Sequence, residues 1–322
     1  MLLALVLSAT VVVAAALFRY ADRPDDESGA DKNTQSPGFT LIEISIVLVI
    51  IGLIVGGVLV GQDLIRAAEV RAQISQIEKY NTAVNTFRGK YNALPGDIAD
   101  PAASSFGFLA RGPQPGEGDG NGIIVGNANG ASSIGGTMQG MGETRLFWED
   151  LSIAGLIPET FASGRANSNP GPVSGSSLTQ WFLPAKIGLS NYVYVWSADP
   201  GTPWTMANYF GLAAVTGLGT TISYYVDITP NIPVSQAFAI DSKIDDGQPY
   251  SGHVVAVYIF DTTRIAADSQ FWWLANSGTA TSCTDNSGNT NVSPFTTPSG
   301  WRYSMGVNSG SGPNCALSFQ FQ

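Results

Sequence analysis

The stretch Gly38-Phe39-Thr40-Leu41-Ile42-Glu43-Ile44-Ser45-Ile46-Val47-Leu48-Val49-Ile50-Ile51-Gly52-Leu53-Ile54-Val55-Gly56-Gly57-Val58-Leu59-Val60-Gly61 decides how this chain is organised. From Phe39 to Gly61 the only ionisable side chain is Glu43. An apolar run of roughly 20 residues can cross a bilayer as a helix. An acidic group in such a run costs roughly 2.5–3.5 kcal/mol at mid-helix and less near the interface. Glu43 therefore calls for a partner outside the run.

Beyond Gly61 the composition turns polar at once, with Gln62, Asp63, Arg66, Glu69, Arg71, Gln73, Gln76, Glu78 and Lys79. Val70, Ile74, Ile77, Val84, Phe87 and Tyr91 recur at three- and four-residue spacing, which predicts one apolar stripe on an amphipathic helix. No proline falls between Phe39 and Asn92, so both halves can form one helix of about 80 Å. Leu94-Pro95-Gly96-Asp97 is a breaker and turn, so the helix should stop near Tyr91-Asn92.

Roughly 230 residues follow Leu94, enough for one sizeable domain. Tyr192–Trp196, Thr221–Val226, His253–Phe260 and Ala316–Phe321 combine alternation, β-branching and rings, and predict strands of an antiparallel sheet. Leu146–Leu151 reads as a short helix closed by Gly155, and a second short helix is expected around Ser235 to Lys243. The Gly/Ser/Asn-rich loops 110–142 and 163–177 are expected to be irregular. The fold class predicted is α+β: a long N-terminal helix packed on a mostly antiparallel β-sheet. The boundaries are a leader over 1–38, the helix over 39–93 and a globular domain over 94–322.

The Gly38-Phe39-Thr40-Leu41-Ile42-Glu43 start and the helix behind it, about Pro37 to Asn92, closely resemble the processing site and N-terminal helix of type IV prepilins and type II secretion pseudopilins. The resemblance implies cleavage after Gly38 by prepilin peptidase and N-methylation of the new terminus, Phe39. It also implies a lollipop shape and polymerisation through the helix. Glu43 would neutralise the terminal amine of a neighbouring subunit, one helical turn from a terminus whose dipole favours an anion. A shielded charge pair of this kind sets registry at the cost of desolvation.

Many type IV pilins carry a proline in this helix; here Gly52, Gly56, Gly57 and Gly61 stand instead. Mid-helix glycines loosen a helix in water and let helices approach closely in membranes. Both readings fit. The only cysteines, Cys283 and Cys315, resemble the pair that staples a C-terminal loop in pilins, which implies a disulfide formed after export.

The partners implied are other pilin or pseudopilin subunits, prepilin peptidase, an inner-membrane assembly platform and, before assembly, membrane lipid. The chain would be a single-pass inner-membrane protein first and part of a pilus or periplasmic filament later. The function implied is a structural subunit of a type IV pilus or pilus-like filament. The alternatives are a type II secretion pseudopilin and a pilin-displayed adhesin or binding module. The size of the domain favours a minor or tip subunit.

Glu117-Gly118-Asp119-Gly120-Asn121-Gly122 places oxygen ligands on alternate residues, like the first half of a calcium loop. The distal bidentate acid is missing, since Gly130 holds that position, so a plain turn is favoured over calcium held by Asp119 and Asn121. Asp245-Asp246-Gly247 reads as a solvated turn, and His253, the only histidine, as structural. Trp181, Trp204, Trp272 and Trp273 belong either to the core or to a binding patch. No nucleophile elbow, phosphate loop or histidine-rich metal motif occurs, so no enzyme is expected. A net charge of -10 makes nucleic acid an unsuitable partner.

Met1–Phe18 is a second apolar stretch, followed by an acidic spacer. Pilin leaders are usually short and basic. A signal peptide cut after Ala16 lacks a basic start, and it would carry Gly38 away from the cytoplasmic peptidase. An extra anchor and a long leader are two resolutions. An over-extended start, with translation from the Leu17 codon, is the simplest.

Overall fold

The computed structural model describes residues 40–112, 116–126, 139–161, 172–197, 207–218, 226–259, 272–274, 282–285, 301–306 and 310–321. Gly38 and Phe39 lie outside them, as do Thr221–Tyr225, Phe260 and Trp204. The chain divides into two compact units, Met1–Gly57 and Val58–Gln322.

Helix α1 is unbroken over Leu41–Tyr91. It stops where the sequence predicts. Asn92 takes the left-handed conformation at φ 55° and donates its N–H to the Arg88 carbonyl, a common asparagine stop. Gly96 then turns the chain at φ 83°. Among the described residues this is the one helix long and apolar enough to cross a membrane, and none of its apolar window is buried within the chain.

The second half of α1 packs differently. Val70, Gln73, Ile77, Tyr80, Val84 and Phe87 are buried along one seam. Ile74 and Tyr91, expected in the stripe, are only half-buried against it. Gln73, Gln76, Tyr80 and Ala83 were not anticipated, because two of them are amides. Their polar atoms explain the burial. Gln76 donates to the Tyr80 hydroxyl and the Pro184 carbonyl and accepts the Lys186 N–H; Gln73 accepts the Ile187 N–H.

Two short helices follow, α2 (Ala102–Ser105) and α3 (Gly142–Ile153). The sheet then builds from β1 (Val173–Ser174), a 3-10 helix (Gly175–Gln180), β2 (Leu183–Pro184), β3 (Asn191–Ser197), β4 (Asn208–Leu218) and β5 (Val226–Thr229). Helix α4 (Val234–Ile244) separates these from β6 (Val254–Val255), β7 (Val257–Ile259), β8 (Trp272–Leu274), β9 (Thr284–Asp285), β10 (Arg302–Tyr303) and β11 (Leu317–Gln320). The loop expected to be irregular near Ser177 thus holds β1 and the 3-10 helix.

Every strand pair described is antiparallel. The main sheet runs β2-β3-β4-β11-β6, with β1 and β5 also on β4. Ala214 pairs with Asn191 of β3 and Thr229 of β5. Hence β3 and β5 lie on opposite edges of β4. This central strand was missed by the sequence reading. Its glycines and alanines are poor strand formers, but Gly211 is obligatory: a Cβ there would sit 2.1 Å from the Tyr194 ring.

The run His253–Phe260 reads as one strand, but its described residues form two. Ala256 breaks it by donating to the Pro249 carbonyl, after which β6 joins β11 and β7 joins β8. An aromatic cluster ties helices to sheet. Tyr80 of α1 meets Trp148 of α3 edge-on at 5.3 Å, Phe147 meets Phe210 of β4 at 6.0 Å, and Phe210 meets Phe321 at 4.4 Å. Each such pair adds about 0.5–1.5 kcal/mol beyond its burial. Cys283 and Cys315 are bonded and buried, linking the start of β9 to the approach to β11.

Candidate functional site

Glu43 sits in the first turn of α1, and Thr40 caps that turn. The Thr40 N–H and hydroxyl donate to Glu43 Oε2 at 2.7 and 2.9 Å, and the Glu43 N–H returns to Thr40 Oγ1 at 3.4 Å. This reciprocal arrangement is a capping box. Its signal, Thr40-x-x-Glu43, stands in the sequence, where Glu43 is read as the assembly charge and Thr40 is given no part. The box keeps the carboxylate folded back over the helix N-terminus, where free N–H groups and the macrodipole favour negative charge. Around it Leu41, Ile42, Ile46 and Val47 are exposed. The arrangement presents one anion amid a bare apolar surface.

A second constellation lies in the domain. The structure brings Asp119 together with Asp97 and Glu143; oxygen atoms of the three acids lie within 4.8 Å of one another. Asn121 stays beside them, its N–H donating to Asp119 Oδ1 at 3.1 Å while its carboxamide oxygen accepts the Ile123 N–H in an Asx turn. Asp97 and Glu143 escaped the sequence reading because one stands in a turn and the other opens α3. Only the tertiary fold brings them together.

The glycine-rich loop wraps its backbone donors around these acids. Gly120, Asn121 and Gly122 donate to Asp97 at 2.8–3.1 Å, and Gly118, Asp119 and Val125 donate to Glu143 at 2.8–3.3 Å. Burial outweighs these bonds and pushes the Asp97 carboxyl up to about 6; Glu143 is also raised well above the usual carboxylate range, by burial and then by the Asp97 charge. Three close oxygen donors suit a hard divalent cation. The loop donors already occupy much of their acceptor capacity.

The same strap reaches α3 through an ion pair. Arg111 and Asp150 meet at 2.6 Å with both side chains out of solvent, and Gly96 donates to the same Asp150 oxygen. On the neighbouring face the Arg145 guanidinium lies 4.3 Å from the centre of the Trp181 ring. Trp181 is thus half-buried under a cation, while the side chains of Trp204, Trp272 and Trp273 lie outside what the structure describes.

The Asp245-Asp246-Gly247 turn gathers Asp241, Asp245 and Asp246. Asp241 is fully buried, accepts the Tyr303 hydroxyl and the Gly247 N–H, and is pushed by burial to about 7. Asp245 caps the His253 and Val254 N–H groups, while Asp246 accepts from Gln248 and Ser251. His253 is exposed, and its backbone N–H and carbonyl are both hydrogen-bonded. Beside this turn a groove of about 540 Å³ runs between α4 and the β9–β10 pair, with Phe238, Gln248, Arg302 and Met305 on its walls.

In comparison with protein families, the Prokaryotic N-terminal methylation motif matches residues 34–59. This is the prepilin-type cleavage and methylation motif of type IV pilins and pseudopilins. No curated protein and no solved structure matches the chain. The match covers the region around Gly38 and the first turns of α1. The motif supports a pilin- or pseudopilin-like substrate of prepilin peptidase, and the order of a long helix followed by a mostly antiparallel sheet is consistent with the pilin fold.

Proposed function

We propose that this chain is a structural subunit of a type IV pilus or pilus-like filament, cut after Gly38, methylated on Phe39 and polymerised through α1. The observation that carries the reading is the methylation motif at the head of an unbroken helix whose first half is bare and apolar. Cleavage frees an α-amine at Phe39, within one turn of Glu43. The capping box already holds the carboxylate at that helix end. A neighbouring subunit's ammonium group can then approach it as the helices bundle, and an unpaired acid in that apolar setting would oppose assembly. Before assembly the same surface is covered by lipid, with the domain on the far side from the peptidase. Other copies or related pilins are the partners, and the inner-membrane platform drives the transfer.

The test is the N-terminus of the mature protein. Edman or mass-spectrometric sequencing should find methylated Phe39, and Gly38→Ala should leave the precursor uncut. A mature start elsewhere, or normal processing of the variant, would refute the reading. Glu43→Gln keeps an acceptor for Thr40 but removes the charge. It should be cleaved normally yet fail to enter filaments, and wild-type filament yield would remove the charge pair from the scheme.

A further inference from the structure

The turn joining β2 to β3 has a property that polymerisation through α1 does not use. Gly188, Leu189 and Ser190 have φ of 74°, 57° and 58°. The left-handed region costs an L-residue roughly 1–2 kcal/mol, and two of these three are not glycine. The surroundings enforce the geometry. Asn191 donates to the Gly188 carbonyl and Asn231 to the Leu189 carbonyl. On the near side Gln76 and Gln73 of α1 hold the Lys186 and Ile187 N–H groups. Strain maintained by this many contacts is usually kept for what it presents. Here it presents an apolar side chain: Leu189 is 53% exposed.

Leu189 has apolar neighbours. It lines a notch of about 340 Å³ with Gln62, Ile65, Arg66 and Glu69 of α1 and with Pro233. Ile65 and the adjacent Leu64 are 61% and 67% exposed. The notch opens where the apolar run stops, and both belong to the unit that starts at Val58. At 1.5 Å per residue, Leu41–Gly61 covers about 31 Å, and the hydrocarbon core of a bilayer is about 30 Å thick. With that run in the bilayer, Gln62–Arg66 falls at the headgroup layer. Two exposed cations stand near this apolar tip: Arg66 on the notch wall, with the Asp63 carboxylate 3.9 Å from its guanidinium, and Lys186, three positions before Leu189. Apolar tips ringed by basic side chains suit the boundary between acyl chains and anionic headgroups.

We propose that the Leu189 turn is a second membrane contact: Leu189, Ile65 and Leu64 enter the headgroup–acyl boundary, with Arg66 and Lys186 among the phosphates. The contact seats the domain on the bilayer until assembly lifts it away. The inference rests on the anchoring part of the function proposed above. Headgroup phosphates answer Lys186 and share Arg66 with Asp63, whereas the apolar span of a second copy offers a single acid, Glu43.

The full chain can be read directly, because Cys283 and Cys315 are bonded to each other and leave no competing thiol. Leu189→Cys, Val49→Cys in the span and Phe106→Cys, which is 52% exposed elsewhere on the domain, would each carry a polarity-sensitive fluorophore. The labelled proteins go into phosphatidylcholine–phosphatidylglycerol vesicles containing lipids spin-labelled either near the headgroup, which reports on position 189, or at mid-chain, which reports on position 49. The position-189 probe should shift to the blue and lose emission to the spin label, while the position-106 probe does neither. Arg66→Gln combined with Lys186→Gln should weaken quenching at 189 and leave position 49 unchanged.

An unquenched probe at 189 with a quenched probe at 49 overturns the contact but spares the anchor. A probe at 49 that lipid does not reach overturns the anchor and the contact with it. A probe at 189 that is shielded from water, unquenched by lipid and replaceable by a disulfide-linked dimer identifies a second copy as the occupant, and also overturns the proposal.

Discussion

The two halves of α1 obey opposite rules. From Leu41 to Ile65 no apolar side chain is buried; most are exposed, Ile54 at 60%, and Ile44, Ile51 and Val55 are half-exposed. From Val70 to Phe87 they disappear into a seam, and Phe87 is 0% exposed. One half is finished by its own chain and the other is not. A bare apolar surface of that length must be completed from outside, by lipid or by other helices. The second half shows what completion looks like: rings from α3 and β4, and glutamines that satisfy the backbone of the turn they touch.

The sharpest way to break this contrast is to truncate one side chain in each half. Phe87→Ala should destabilise the domain by about 3–5 kcal/mol through lost burial and the cavity left behind. Ile54→Ala should leave domain unfolding within about 0.5 kcal/mol of wild type, as substitutions outside a packed core do. Chemical denaturation of the detergent-solubilised chain, followed by tryptophan emission, separates the two. Equal effects would mean that the halves are not distinct.

What was legible in the sequence follows the same division. Local patterns found the apolar span, the amphipathic continuation and its stop at Leu94-Pro95, because each is written in consecutive residues. They also found β3, β11 and helices α3 and α4. They failed where tertiary contact decides. Strand β4 looks unlike a strand because Gly211 answers to the Tyr194 ring seventeen positions earlier in the chain, not to its neighbours. The acid cluster failed for the same reason: Asp97 and Glu143 are brought to Asp119 only by the fold. The Gly38–Glu43 reading met its match in the methylation motif, yet the capping box inside it went unread.

The buried acids provide the next contrast, since the domain keeps out of water the charge type that the span holds at its edge. Burial raises Asp97 from 3.8 to about 6 and Asp241 from 3.8 to about 7. A raised folded value means that the folded state binds the proton more tightly. The stabilisation is therefore complete below the unfolded value near 4 and is lost as pH rises through about 6 to 7. Each group can contribute up to about 1.4 kcal/mol per pH unit within that window. Thermal melting should accordingly rise from pH 8 to pH 5. Asp97→Asn should flatten the profile, and a melting temperature that falls over this range would contradict the burial of these carboxyls.

A smaller effect tests the polar half of the seam. Gln76→Ala removes an acceptor from the Lys186 N–H and a donor from the Pro184 carbonyl. Leaving such groups unmet costs about 1–3 kcal/mol. Gln76→Glu keeps an acceptor for Lys186 but loses the donor to Pro184. Hydrogen exchange at Lys186 should accelerate in the alanine variant and remain slow in the glutamate one; equal rates would show that the amide is mere filler.

The smallest effect has the opposite sign. Leu189 holds a left-handed φ of 57° with its side chain largely in water, so glycine would remove a steric penalty and lose little packing. Glycine also gains freedom in the unfolded chain, which offsets part of the relief. Leu189→Gly should therefore stabilise the isolated chain in detergent by up to about 1 kcal/mol, read as a higher denaturation midpoint at unchanged slope. A destabilised variant would mean that Leu189 is packed within its own chain, and the turn would then belong with the finished half of the molecule. A stabilised one leaves the leucine unexplained by folding. Its reason must then be sought where the bare half of α1 finds its own, in what lies outside the chain.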